Sequence, residues 1–130
     1  MSVQKYGYRD PDFYIKMRGA AWSDESRAVA IIFELTGMHP QSLLELDEKS
    51  LKREGTDRVL YWRRPKTHKL LNRIIPKEDL EDVERFLGMR RHSYWHYWDT
   101  VRRLGERAGF ETASPMTYRH QRCITLLGLR

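Results

Sequence analysis

Residues 59–76, VLYWRRPKTHKLLNRIIP, restrict the fold more than any other part of the sequence. The aromatic, aliphatic and β-branched residues at 59–62 and 72–75 are typical of short strands. Pro65 and Thr67 suit a turn between them, and Pro76 ends the second strand because it has no N–H to donate. The turn is basic and contains Arg63, Arg64, Lys66, His68 and Lys69. The pattern predicts a β-hairpin with its apolar side on a core and its basic tip in solvent.

Two interpretations of the basic tip remain open. A row of cations on an exposed turn favours binding to phosphate groups. The alternative is an ordinary surface hairpin, in which lysines keep the strands soluble and prevent pairing with other sheet edges.

Composition narrows the class of partner. The 130 residues carry a formal net charge of +6, which favours an anionic partner, nucleic acid first and a membrane surface second. The length suits one domain with a real core. The lone Cys123 excludes an intramolecular disulfide, and no apolar run reaches the roughly 20 residues of a membrane span. We therefore expect a soluble, cytoplasmic protein without a signal peptide.

Apolar periodicity and capping residues predict mainly helices around the hairpin. Ser23 and Gly37 bound a helix at about 24–36, and Pro40 begins the next one. Further helices are predicted at 77–88, at 93–108 and from Pro115 to Leu127, and a short edge strand at 47–57. We expect residues 1–21 to form an arm or short helix, and residues 22–130 to form the core domain.

The helix at 93–108 contains more large side chains than one buried stripe accommodates. Some of them should face a groove or a partner. They are Tyr94, Trp95, Tyr97, Trp98, Val101 and Leu104.

A second basic cluster, Arg119, His120 and Arg122, follows Thr117 near the start of the last helix. Exposed N–H groups and the helix dipole favour an anion there, and guanidinium groups would complete a phosphate clamp. The alternative is a solvated basic helix face.

Metal binding is not expected. His92 and His96 are four residues apart, and His120 lies near Cys123, but each pair is only half a site. There is also no glycine-rich phosphate loop and no serine nucleophile elbow, so the sequence predicts neither a metal nor a cofactor.

Four motifs occur in a characteristic order. The first motif is Thr36-Gly37, followed by His39 and by Leu43, Leu44 and Leu46. The second is Lys66-Thr67 with Lys69, followed by Arg73 and Ile75-Pro76. The third is Ala108-Gly109-Phe110, and the fourth is Ser114-Pro115 before Tyr118-Arg119-His120. In this order the chain resembles the catalytic domain of tyrosine recombinases, the phage-integrase family, over about residues 24–127. The resemblance implies an α+β fold that is mostly helical, with a small antiparallel hairpin or three-stranded sheet, and that holds duplex DNA.

The resemblance also implies a chemistry, which is metal-free transesterification at a phosphodiester. In that chemistry a tyrosine attacks phosphorus, two arginines neutralise the non-bridging oxygens and a hairpin lysine protonates the leaving oxygen. Lys66 matches the lysine and Arg119 the second arginine. The chain departs from the pattern at three positions, since His39 occupies the first arginine position, Ser42 a glutamate-like position and Met116 a histidine position.

The sequence ends at Arg130, before the position of the family's nucleophilic tyrosine. We therefore expect a DNA-binding domain that does not cleave and rejoin DNA alone. Its expected partner is double-stranded DNA, held by Lys66 and Arg119 together with Arg63, Arg64, Lys69, His120 and Arg122. One alternative is an active strand transferase whose tyrosine comes from another chain or a further segment. Another is a regulator that binds a second copy or another recombinase subunit.

Overall fold

The computed structural model of the protein describes the backbone of residues 3–4, 7–8 and 10–126 and the side chains of residues 10–121. Its helices are α1 (Phe13–Gly19), α2 (Asp24–Thr36), α3 (Pro40–Leu44), α4 (Lys77–Gly88), α5 (Tyr94–Ala108) and α6 (Pro115–Leu126). Its strands are β1 (Val3–Gln4), β2 (Gly7–Tyr8), β3 (Leu51–Glu54), β4 (Asp57–Arg63) and β5 (Leu70–Ile74). This is the predicted α+β fold, mostly helical with one three-stranded antiparallel sheet.

Helix α2 is the centre of the core. It begins as predicted at Ser23, whose hydroxyl oxygen accepts the N–H of Ser26 at 3.1 Å, and it ends at Gly37. Every residue from Ala28 to Phe33 is buried, because α1, α4, α5 and α6 pack around it. A helix that is apolar on all sides requires such surroundings.

The predicted hairpin is confirmed, and its second strand begins earlier than expected. Leu71 pairs with Trp62 and Leu70 with Arg63, so β5 starts at Leu70 rather than at residue 72. Leu60 and Trp62 are buried, whereas residues 63–70 are all exposed. The predicted edge strand is β3, which pairs with β4.

The predicted helices at 77–88 and 93–108 are also confirmed. In α5, Tyr97, Val101 and Leu104 are buried, whereas the Trp95 side chain is 69% exposed. The aromatic excess of this helix therefore does divide between core and surface. The predicted end of the last helix at Leu127 lies outside the described residues.

The sequence predicts an arm or a short helix within residues 1–21, and the structure has a short helix there, α1. Its Phe13 and Met17 are buried in the same core as α2. Arg18 fixes α1 in place, since it donates to Glu34 of α2 and to Asp79 of α4 at 2.7 Å each.

Arg91 closes the C-terminal end of α4. Its guanidinium donates to four main-chain carbonyl oxygens at 2.7–3.3 Å, those of Leu46, Phe86, Leu87 and Met89. These include carbonyls that the end of a helix leaves without intrahelical partners. None of the helices in the described part of the chain is long and apolar enough to span a bilayer.

Candidate phosphate-binding cleft

The turn between α2 and α3 positions His39. Gly37 adopts the left-handed conformation, with φ of 60°, and donates its N–H to the Phe33 carbonyl at 2.8 Å. His39 then caps α3, because its Nδ1 accepts the N–H of Gln41 at 3.1 Å. An Nδ1 that accepts a hydrogen bond has no proton, so the neutral ring carries its hydrogen on Nε2. His39 is therefore held as a donor through Nε2.

The start of α6 positions Arg119. Ser114 donates its N–H to the Thr117 hydroxyl at 3.0 Å and accepts the N–H of Thr117 at 2.9 Å. Tyr118 is fully buried, with its ring centroid 5.6 Å from that of Phe13 and 5.8 Å from that of Phe33. Because successive helix residues point about 100° apart, anchoring Tyr118 in the core turns Arg119 away from it. Arg119 is half-buried and lines a cleft.

Hydrogen bonds between neighbouring residues fix the turn of the hairpin tip that contains Lys66. His68, with φ of 55°, donates its N–H to the Arg64 carbonyl at 2.8 Å, and Arg63 donates to the His68 carbonyl at 2.9 Å. The base of the hairpin is tied to α3, since the Ser42 hydroxyl donates to the Arg63 carbonyl at 2.6 Å. The exposed tip is thus a closed loop with a fixed base.

These three elements meet in a cleft of about 340 Å³, which we call the basic cleft. It brings together three of the residues singled out by the resemblance, His39, Lys66 and Arg119, and adds Arg64. The lining residues that the structure describes are Thr36, Gly37, Met38, His39, Ser42, Trp62, Arg64, Pro65, Lys66, Leu71 and Arg119. None of these described lining residues is acidic.

No carboxylate in the described part of the chain neutralises the charge of the basic cleft. Among the residues that the structure describes, Arg64, Lys66 and Arg119 form no ion pair. Three unpaired cations around one concavity attract an anion with several oxygens, and two of them are guanidinium forks that match phosphate geometry.

His39 adds a hydrogen-bond donor to the basic cleft but no charge. Burial, together with the positive charges of Arg119 and Lys66, lowers the pKa of His39 below its ordinary value of 6.5. The imidazole is therefore neutral at pH 7. His120, the next residue after Arg119, also has a lowered pKa, because of burial and then the Arg119 charge.

Three other predicted binding residues, Arg63, Lys69 and His120, are not among the described residues that line this cleft. Arg63 lines a neighbouring cleft of about 260 Å³, which shares Ser42 and Trp62 with the basic cleft. Lys69 is exposed on the hairpin tip, and His120 is half-buried on α6. Arg122 belongs to α6, but its side chain lies outside the described residues.

Of the three tyrosines nearest to the predicted motifs, Tyr97 and Tyr118 are buried and Tyr94 is half-buried. Burial raises the pKa of Tyr118, which is in the core beside Arg119. Burial also raises the pKa of Tyr97, whose hydroxyl oxygen accepts the N–H of His92 at 2.9 Å. Tyr94 packs near the His39 ring at a centroid distance of 6.0 Å.

Sequence reasoning missed one lining residue of the basic cleft and one neighbour of His39. Trp62 lines the basic cleft, and strand alternation could have indicated it, since Trp62 and Arg64 are two residues apart and share a face. Tyr94 contacts His39 from another helix, and no sequence signal connects the two residues.

The fold is that of the catalytic domain of tyrosine recombinases. The XerH site-specific recombinase, in a pre-cleavage complex with its difH substrate, superposes with a TM-score of 0.77 at 16% identity, over 99% of this chain and 45% of that one. Its post-cleavage complex with palindromic difH gives a TM-score of 0.76 at 17% identity, over 98% of this chain and 44% of the recombinase chain. The XerA recombinase also superposes with a TM-score of 0.76 at 17% identity, over 98% of this chain and 52% of the XerA chain.

The chain spans about half the length of these recombinases. No protein-family model matches the sequence, and no curated protein matches it either. At this level of identity the likeness establishes the fold.

Proposed function

We propose that this chain, with α1 as part of its core, is a DNA-binding domain of the tyrosine-recombinase type, which holds duplex DNA by its phosphates. The observation that carries this proposal is the basic cleft, where Arg64, Lys66 and Arg119 converge without an acidic neighbour among the described lining residues. The recombinase fold supports it, since the XerH neighbours are complexes with DNA substrates.

The contacts expected from these residues are mainly to the DNA backbone. Lysine and arginine bind phosphate oxygens at any base sequence, so affinity should depend strongly on salt and weakly on sequence. The exposed tip extends the positive surface beyond the cleft through Arg63 and Lys69. If these five cations each neutralise one phosphate, log affinity should fall with log salt with a slope of about −4.5.

The test is fluorescence anisotropy of a labelled duplex, titrated at several salt concentrations with the wild type and a Lys66→Glu/Arg119→Glu variant. Each lost charge-assisted contact is worth about 1.5–3 kcal/mol, so the variant should bind at least roughly a hundredfold more weakly at fixed salt. Its salt slope should also become shallower by about 1.8, the value for two phosphates.

A Lys52→Glu/Lys77→Glu variant is the matched control. Both lysines are exposed and neither lines the basic cleft, yet this variant undergoes the same change in net charge. If both double variants lose affinity equally, binding reflects overall charge rather than the cleft. If the wild type does not bind even at low salt, the proposed function is wrong.

We further propose that the chain by itself does not cut and rejoin DNA. His39 is uncharged at the position where the resemblance implies arginine, and Met116, which is half exposed, has no proton to transfer. Loss of one transition-state charge contact costs about 2.7–4 kcal/mol. Incubation with a nicked duplex, followed by denaturing electrophoresis, should show no covalent protein–DNA adduct, and an adduct would establish strand transferase activity instead.

A second candidate function is binding to another copy or to another recombinase subunit. The observation that favours it is Trp95, whose large apolar side chain is 69% exposed beside the partly exposed Trp98. Sedimentation velocity over a range of concentrations, alone and with DNA, should then show self-association that a Trp95→Ser substitution reduces.

A further inference from the structure

Three possible metal ligands meet on the surface formed by the N-terminal ends of α2 and α5. The His96 Nε2 lies 2.7 Å from the Glu25 Oε1, and the His92 Nε2 lies 3.5 Å from the Glu25 Oε2. One ligand atom from each of the three side chains lies within 4.8 Å of the other two. The sequence shows only the two histidines, and the fold supplies the carboxylate from a helix 71 residues away from His96.

The two imidazoles are held in position before any ion binds. Ser93 accepts the main-chain N–H of His96 and begins α5, while the hydroxyl of the buried Tyr97 accepts the main-chain N–H of His92, so both bonds fix the backbone that carries the two rings. The two rings stack with centroids 4.0 Å apart and an angle of 24° between their planes. Both Nε2 atoms consequently face the same carboxylate.

The cluster is accessible from solvent. The side chains of His92, His96 and Glu25 are 51%, 37% and 22% exposed. An ion can therefore reach the three ligand atoms without unfolding of the core, and a water molecule can occupy a fourth coordination position.

We propose that Glu25, His92 and His96 bind one Zn²⁺ ion. Two imidazole nitrogens and one carboxylate oxygen are a zinc donor set, with bond lengths of about 2.0–2.2 Å. Tetrahedral bonds of that length hold ligand atoms roughly 3.3 Å apart. The 2.7 Å distance between the Glu25 Oε1 and the His96 Nε2 would then open by about 0.6 Å. The His92 Nε2 lies 3.5 Å from the other carboxylate oxygen, Oε2, so the carboxylate would turn to present one oxygen to both imidazoles.

The bound ion links the start of α2 to the start of α5. These two helices otherwise contact each other through the core below the cluster. The site is separate from the basic cleft, so zinc binding does not depend on the proposed function and is tested without DNA.

Isothermal titration of the metal-free full chain with ZnCl₂ measures the affinity and the stoichiometry. The wild type should bind one ion at this site. Glu25→Gln, His92→Gln and His96→Gln each remove a ligand, so each should weaken binding by at least the roughly 10–100-fold that loss of a hydrogen-bond partner of a ligand costs. At a hundredfold excess over Kd, the ion should raise Tm by roughly 10 °C. Circular dichroism of each variant verifies that it is folded.

His68→Asn and Cys123→Ser are the controls. His68 lies on the exposed hairpin tip at a positive φ, which asparagine tolerates, and Cys123 is the one thiol in the chain. Both variants should retain wild-type zinc affinity. Zinc affinity that survives Glu25→Gln and His96→Gln, or that is lost in either control, would overturn the assignment.

Imidazole ¹⁵N resonances of the wild type provide a second readout that needs no substitution. Zinc should shift the Nε2 signals of His92 and His96 and leave that of His68 unchanged. If zinc leaves both signals unchanged, the cluster is a hydrogen-bonded tertiary contact and the proposal is wrong.

Discussion

Gly105 is buried inside α5, where the helix passes closest to the loop that leads into α6. A Cβ atom added there would lie 2.5 Å from the Phe110 carbonyl oxygen and 2.6 Å from the Ala113 Cβ. Ordinary contacts begin near 3.4 Å, so the Phe110 carbonyl would have to move by about 0.9 Å. This carbonyl is main chain, and it accepts the N–H of Ala113 at 3.0 Å. A Gly105→Ala substitution therefore cannot be accommodated by rotating a side chain.

Two opposing effects determine the stability of this variant. Alanine is favoured over glycine in a helix interior by about 1 kcal/mol. Overpacking costs about 1–3 kcal/mol, and the value should be near the upper end because backbone must move. We expect a net loss of about 1–2 kcal/mol, which corresponds to a fall in Tm of roughly 4–7 °C for a domain of this size.

Urea denaturation followed by circular dichroism measures the effect, with Gly88→Ala as the matched control. Gly88 is the last residue of α4, and an added Cβ there has no neighbour within 4 Å. Gly88→Ala should be neutral or stabilising by up to about 1 kcal/mol. If Gly105→Ala is as stable as the wild type or more stable, the steric reasoning is refuted.

Three further predictions concern ionisable groups. Arg18→Met should lower the free energy of unfolding, measured by urea denaturation, by about 3–5 kcal/mol. The reason is that the buried Asp79 carboxylate loses its guanidinium partner. A loss below about 1 kcal/mol would contradict this. His39→Arg should tighten duplex binding and steepen the salt slope by about 0.9 in the anisotropy assay, since it adds a full charge to the basic cleft. Because the pKa of His39 is lowered, its charge appears only as the pH falls below the ordinary value of 6.5. Acidification from pH 7 to 5 should therefore strengthen DNA binding of the wild type more than that of His39→Gln. Equal responses of the two proteins would show that protonation of His39 does not contribute to DNA binding.

Much of the fold could be predicted because its signals are local. Ser23, Gly37, Ser93 and Gly109 bound their helices in the structure as the sequence indicated. The start of β5 could not be predicted, since Leu70 joins the ladder only by pairing with Arg63. Strand ends depend on a partner strand, and turn composition does not specify that register.

Some residues of the basic cleft could be named from the sequence, whereas the contacts around them could not. The resemblance singled out His39, Lys66 and Arg119, and the structure places all three in one cleft, while their roles stay predictions. The Nε2–H form of His39 follows from its cap on Gln41, a contact that only coordinates reveal. Glu25 was missed for a similar reason, because folding brings it to the histidines across 71 residues from His96.

Arg91 shows why a count of basic residues overstates what a polyanion encounters. Its guanidinium is engaged with four carbonyl oxygens of the chain itself, and Arg107 likewise donates to the Ala20 carbonyl at 2.7 Å. Both contribute to the formal net charge of +6, yet Arg91 and, through its Nε, Arg107 have donors committed to the fold. If the proposed function holds, the number of phosphates neutralised should therefore follow the cations of the hairpin tip and the basic cleft rather than the total count. Two proteins with this composition but different internal use of arginine would differ in how many counterions they release.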